Sequence, residues 1–162
     1  MIVIKSNASE IEPVIIEAET LENVKLDGMN LHRAILSNAN LKGASFIEAN
    51  MRSAELDGAD LSFANMSKAT LMNALFMYAN LTSVMFQDSK PISANFTGAN
   101  LQSADFTCAD VFAAKFTSAN LVGAIMLCER IEDSSFDNAK FNDLTVWPEG
   151  FDPIAKGAIK VE

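Results

Sequence analysis

The side chains able to do chemistry in this 162-residue chain are few: one histidine, His32, and two cysteines, Cys108 and Cys128, beside 21 acidic and 12 basic residues. Catalysis needs groups that converge in a tuned environment. The sequence holds no HExxH, GxSxG, GxxxxGK[ST] or GxGxxG stretch, the spacings that supply metal ligands, an activated serine or a phosphate cradle. Asp57 with Asp60, and Asp105 with Asp110, bring two carboxylates near each other. No base or nucleophile accompanies either pair, so both read as solvated polar surface, as does His32. The expectation is no catalytic, cofactor-binding or metal-binding residue, no cofactor and no enzymatic activity.

Composition narrows the partners. Apolar residues make up 49% and charged residues 20%, enough to bury a core. The net charge of −9 argues against direct nucleic-acid binding, which needs basic patches for phosphates. No apolar run approaches the ~20 residues of a membrane span. The start, MIVIKSNASE, lacks the charged and then apolar regions of a secretory signal. A cytoplasmic, reducing location is the expectation, with no membrane association.

The elements that must position these residues follow from a repeat. From Leu21 to Phe141 every fifth residue is large and apolar, with eleven Leu, eight Phe, three Met, one Val and one Ile among 25 positions, and Pro91 as the exception. Two places before most of them stands a small residue, Ala in 18 of the 25 cases. A step of five turns about 500° on a helix, which would spread the large residues over every face. On a straight strand it would alternate them between faces. Both sets point inward only if the chain turns a corner once per five residues, which makes a stacked solenoid. A second period of 20 runs through Leu21, Leu41, Leu61, Leu81, Leu101 and Leu121, and through Asn40, Asp60, Asn80, Asn100 and Asn120. Like on like at that spacing predicts four five-residue units per coil, side-chain ladders along the axis, about six coils and a rod roughly 30 Å long.

The stretches ANLKG, ADLSF, ANLTS, ANFTG, ANLQS, ADFTC and ANLVG resemble the pentapeptide repeat family. The resemblance implies an all-β fold, a right-handed quadrilateral parallel β-helix whose Leu/Phe and Ala positions fill the interior. It covers about three quarters of the chain and says little of function, because one scaffold hosts many. Quinolone-resistance members of the family are held to bind DNA gyrase as acidic mimics of duplex DNA. Such a mimic needs negative potential along the rod. Here residues 1–22 carry five acids and one base, residues 23–128 eight acids and seven bases, and residues 129–162 eight acids and four bases. The acidity sits at the ends, and no long loop interrupts the repeat, so gyrase inhibition is the alternative rather than the leading reading.

A stack of coils needs covered ends. The expected division is an N-terminal cap over 1–20, a β-helix over 21–141 and a C-terminal cap over 142–162. Residues 1–4 read as a strand. Residues 9–21 read either as a helix, from Ile11, Val14, Ile15, Ala18 and Leu21 behind a Ser9/Glu12 capping box, or as a degenerate coil with Val14 and Ile16 in register. The stretch WPEGFDP is similar to a closure that recurs in pentapeptide proteins of photosynthetic bacteria. Trp147 and Phe151 are the expected lid of the last coil, with a homodimer through an end cap as the other reading.

Function then falls to the outward positions. Met72, Ile92 and Phe112 recur at 20 on one wall, continuing a column from His32 and Arg52, with Leu75, Met77 and Tyr78 around the corner. Phe63 and Met85 also face out. A contiguous apolar patch marks a partner surface, and Met72, Leu75, Met77, Tyr78, Ile92 and Phe112 are the candidate contacts of a non-enzymatic interaction module whose partner is another protein. Pro91 cannot donate to a ladder, which predicts a bulge or loop near 87–92. Cys108 and Cys128 stand one coil apart, about 5 Å in register and within disulfide range. In a reducing compartment they are expected as stacked free thiols.

Overall fold

The computed structural model describes residues 1–162. Its repeating unit explains the period of five. The large residue opens a four-residue turn and the small residue closes it, as where Ala34 N–H donates to the Leu31 carbonyl at 3.0 Å and Ala99 N–H to that of Phe96 at 3.0 Å. The third residue of the turn sits at positive φ, for example 56° at Arg33 and 58° at Tyr78. The fifth residue alone is extended, and it pairs in parallel with the residue 20 places on: Lys25 with Ser45, Asn30 with Asn50, Ile35 with Glu55 and Asn40 with Asp60. Four such ladders give each coil four walls, termed here first to fourth from the units beginning at 21, 26, 31 and 36.

The Asn or Asp that precedes many large residues has a defined task. Its side-chain oxygen accepts from the N–H two places on, at 3.0 Å from Ser62 to Asp60, 3.0 Å from Thr97 to Asn95 and 2.9 Å from Thr107 to Asp105. Such side-chain bonds hold the chain in the turn. Some of these groups also link coils, Asn50 donating to Asn30 at 2.9 Å and Asn120 to Asn100 at 3.1 Å.

Leu, Phe, Met and Ala side chains fill one continuous core. Its second half is aromatic. Phe76, Phe96, Phe116 and Phe136 stack with ring centres 5.0, 5.1 and 5.0 Å apart, and Phe86 stacks on Phe106 at 4.6 Å. The two columns meet edge to face, at 5.8 Å between Phe86 and Phe96. Both geometries suit the quadrupole of an aromatic ring.

At the N-terminal end β1 (Ile2–Ile4) pairs antiparallel with β2 (Val14–Ile16). The segment that follows β1 then lies along the third wall of the first coil, where Ile35 N–H donates to the Lys5 carbonyl at 2.8 Å and Asn7 N–H to that of Arg33 at 2.9 Å. No helix forms over 9–21. Pairing with β1 holds Val14–Ile16 extended and buries Ile16, five places before Leu21, in the register of the large residues. At the other end β3 (Lys140–Phe141) pairs in parallel with β4 (Ile159–Lys160). Between them Trp147 and Phe151 lie against Phe136 at 5.6 and 5.5 Å, and Trp147 also meets Phe141 edge-on at 5.6 Å.

Two irregularities differ from what the repeat predicts. No bulge forms at 87–92: Ser89 N–H still closes its turn on the Phe86 carbonyl at 3.0 Å, and Ala94 closes on Pro91 at 3.1 Å. Pro91 is buried in the slot of a large residue. Lacking an N–H, it deletes one donor, and Lys90 and Asp110 form no bridge where their neighbours do. The break falls one coil later. Asp110 pairs with Glu129, 19 residues on, and Ile125 with Val146, 21 on. Arg130 takes φ 53°, a 3₁₀ turn spans Ile131–Asp133, and Ser135 regains the register against Lys115. The cause is Glu129, which occupies the sequence position of an inward Ala. An unpaired carboxylate cannot enter an apolar core, so the chain drops one residue, places Glu129 on the exposed ladder and makes up the residue at Arg130.

The aromatic columns lead to a test by chemical denaturation. Phe96→Ala is expected to cost about 3–5 kcal/mol. Phe96→Leu is expected to cost less than half of that, since Leu56 fills the same slot two coils earlier. Equal losses in the two variants would show that ring stacking rather than volume holds the column.

Candidate functional site

Main-chain bonds stack the third-wall column as its spacing requires. Ser53, Asn73 and Ser93 N–H groups donate to the carbonyls of Met72, Ile92 and Phe112 at 2.8, 2.9 and 2.8 Å. Met72 and Ile92 are half-buried and Phe112 is 38% exposed. Leu75, half-buried, sits on the ladder between Glu55 and Asn95 at the corner to the fourth wall, where Met77 and Tyr78 follow. Met77 is tied back by its N–H to Asp57 Oδ1 at 2.8 Å. Phe63 and Met85 lie on the first wall, opposite this column, and so belong to a different surface.

Two features fix the aromatic members. The Arg130 guanidinium carbon lies 4.6 Å from the centre of the Phe112 ring, a cation–π contact. Arg130 also pairs with Asp110, Nε donating to Oδ1 at 2.8 Å and Nη2 to Oδ2. The Asp110 carboxylate raises the guanidinium pKa above its ordinary value. This arrangement depends on the slip at Glu129, and nothing in the spacing of five announces it. Tyr78 is 74% exposed at φ 58°, a conformation that costs a side-chain-bearing residue about 1–2 kcal/mol. Its ring lies across Gly98 on the next coil, where a Cβ would stand 2.5 Å from Tyr78 Cε1. The bare glycine is the shelf on which the ring rests.

The groups that could have done chemistry are engaged structurally. His32 donates from Nδ1 to the Arg52 carbonyl at 2.8 Å. Asp60 accepts from Ser62 N–H and Asn80 Nδ2, both at 3.0 Å, and Asp105 accepts from Gln87 Nε2 at 2.7 Å. No group of three or more His, Cys, Asp or Glu side chains is placed to hold a metal ion. A shallow depression of about 400 Å³ lies beside Gly98, Asn100, Asn120 and Lys140, apart from the third-wall column.

The slip also sets the two cysteines in different surroundings. Cys108 keeps the turn position at φ 58° and is exposed. Cys128 instead donates from its N–H to the Met126 carbonyl at 2.8 Å, turns its Sγ to the same oxygen at 3.2 Å and packs against the core. Both are free. Burial pushes the Cys128 thiol from 9.0 up to about 12; the hydrogen bond lowers it and Asp110 raises it to lesser extents.

The chain matches the family model described as pentapeptide repeats, in eight copies, over residues 20–52, 54–90 and 94–127. It belongs to the pentapeptide repeat family. No curated protein sequence matches it. Among solved structures it is similar to HetL, a pentapeptide repeat protein involved in heterocyst differentiation regulation from the cyanobacterium Nostoc sp. strain PCC 7120. The TM-score is 0.54 and the identity 24%, over 76% of this chain and 62% of HetL. The chain thus spans less than two thirds of that relative. It is also similar to trypsin-treated QnrB1, a plasmid-mediated fluoroquinolone resistance protein, with TM-score 0.51 and 16% identity over 88% of this chain and 85% of that one. Both likenesses are of fold. No helix of the chain is long and apolar enough to cross a membrane.

Thiol labelling checks the placement of the cysteines. Cys108 is expected to react readily with a small alkylating reagent at neutral pH and the half-buried Cys128 much more slowly, so a Cys108→Ala variant should label faster once unfolded. The raised Cys128 pKa means that the unfolded chain loses a proton the native chain keeps. Stability from this group is complete below the unfolded value of 9.0 and is lost as pH rises toward about 12. Cys128→Ala should flatten that alkaline decline. Equal labelling of both thiols in the native protein would contradict the inward turn of Cys128.

Proposed function

We propose that this pentapeptide repeat protein is a non-enzymatic interaction module, and that Met72, Leu75, Met77, Tyr78, Ile92 and Phe112 form its contact surface for another protein. One observation carries the reading. Phe112, at the end of a stacked apolar column, is exposed yet held by Arg130 and Asp110. A pre-positioned aromatic anchor needs little ordering on binding, and the adjacent Met side chains adapt to a partner's shape. The exposed Tyr78, its ring resting across Gly98, supports the same surface.

In this reading residues 21–141 form a right-handed rod of about six coils that acts by presenting side chains at fixed spacing. Residues 1–20 and 142–162 close its ends, with WPEGFDP, around Trp147 and Phe151, as the C-terminal closure. The module works in the cytoplasm. Dimerisation, where it occurs, uses an end cap.

The alternative, gyrase inhibition by DNA mimicry, calls for a negative wall along the rod. The fourth wall carries Asp57, Asp60 and Asp137 with no acid between residues 61 and 136, and acids on the second wall alternate with Lys68, Lys90 and Arg130. That distribution favours the contact-surface reading.

A pull-down from host extract with the full chain tests it, run beside Met72→Asp/Phe112→Asp. Both versions should give the same circular dichroism and melting temperature, and the variant should lose the captured partner. Equal capture by the two versions would remove the contact surface, and gyrase subunits captured equally by both would establish the alternative.

A further inference from the structure

The coil geometry sorts the charges of the chain by wall, and the third wall differs from the rest. The chain as a whole is −9. Over residues 21–120 the second and fourth walls each sum to −2, and the first, with Glu22 and Asp105 against Lys25 and Lys42, is neutral. From residue 31 to 115 the third wall bears Arg33, Arg52 and Lys115 against Glu55 alone. Lys90 stands at its edge, beside Pro91. Arg52, Lys90 and Lys115 are exposed and none is in an ion pair. The nearby acids are engaged: Glu55 accepts from Asn7 Nδ2 at 2.5 Å, and Asp110 is held by Arg130. Glu132 and Asp133 follow in the last unit and bring the whole wall to neutral, Glu132 pairing with Lys156 at 3.0 Å.

We infer that the third wall docks an acidic amphipathic segment of a partner protein. The inference rests on the contact surface proposed above and names the chemistry of what covers it. Met72, Ile92 and Phe112 supply an apolar strip about 10 Å long, at roughly 4.8 Å per coil. Unpaired basic groups flank it, Arg52 one coil before Met72, with Lys90 and Lys115 at the two corners of the wall, level with Ile92 and Phe112. A basic or neutral partner would leave these cations unmatched, whereas carboxylates at the Arg52 end and along the flanks of an apolar stripe complement them and fix its register. The occupant binds through side chains. In the middle coils the ladder N–H and carbonyl groups are already paired coil to coil, for example Asn73 to Ile92 and Leu75 to Ala54. No free edge is offered there for strand addition, so the fitting form is a helix with apolar residues at i, i+3 or i+4, and i+7, which span about 10.5 Å.

A displayed library of random peptides about 16 residues long, long enough for such a helix, is panned on the full chain. Arg52→Glu/Lys115→Glu and Met72→Asp/Phe112→Asp serve as counter-targets, each checked for an unchanged melting temperature. The expected enrichment is of net-acidic sequences with apolar residues at helical spacing. A synthetic copy of one should bind about tenfold more weakly to either variant, and weaken further as salt rises from about 50 to about 300 mM. Neutral or basic peptides that lose binding only to Met72→Asp/Phe112→Asp would overturn the acidic partner and leave the contact surface standing. No enrichment, or peptides indifferent to both variants, would overturn both. Self-association of the chain abolished by either variant would place a second copy on this wall and overturn the inference.

Discussion

The four-residue turn, closed by an Ala N–H on the carbonyl of the large residue three places before it, is the constraint on which the rest depends. It forces a positive φ on its third residue, which favours Gly, Asn and Ser there, although Arg33, Glu48, Phe63, Lys68 and Tyr78 also adopt it. It leaves a single extended residue between corners, so each coil bonds to the next through isolated rungs rather than long strands. It also turns both the large and the small residue inward. Neighbouring large side chains then interlock only because the residue two places before each is small.

Departures from the repeat are tolerated according to which of these roles they disturb. Pro91 removes one rung donor and nothing else, because the carbonyls of its unit remain in use. Glu129 violates the inward small position, where an unpaired charge is not tolerated, and the backbone slips to keep it in water. The consequences reach the surface. The slip turns Cys128 toward the core and brings Arg130 over Phe112 and against Asp110, so a core constraint organises the end of an outward apolar column.

The outward second residue of each unit has no such duty and the third only its positive φ, and there the chain is freer to vary. Its walls accordingly differ in character. The second and fourth are acidic, the first is neutral, and the third is apolar at its centre with cations at its margins. The interior is nearly uniform, so any discrimination between partners resides in this wall-by-wall composition.

Much of this was legible in the sequence. The register from Leu21 to Phe141 and the second period of 20 define the coil, its four walls and the stacking of Met72, Ile92 and Phe112, because each of those depends only on spacing along the chain. Three features were not legible. Residues 9–21 carry apolar spacing that suits a helix as well as a strand, and pairing with β1 decides between them. Pro91 advertises a bulge, yet the coils on either side hold it in register. Glu129 lies in a run whose period of five never breaks, while its backbone pairs 19 residues back. Spacing alone determined which side chains share a wall. Tertiary structure decided where the register yields and which surface groups are paired, because those outcomes depend on the hydrogen-bond and charge partners a neighbouring coil supplies about 20 residues away.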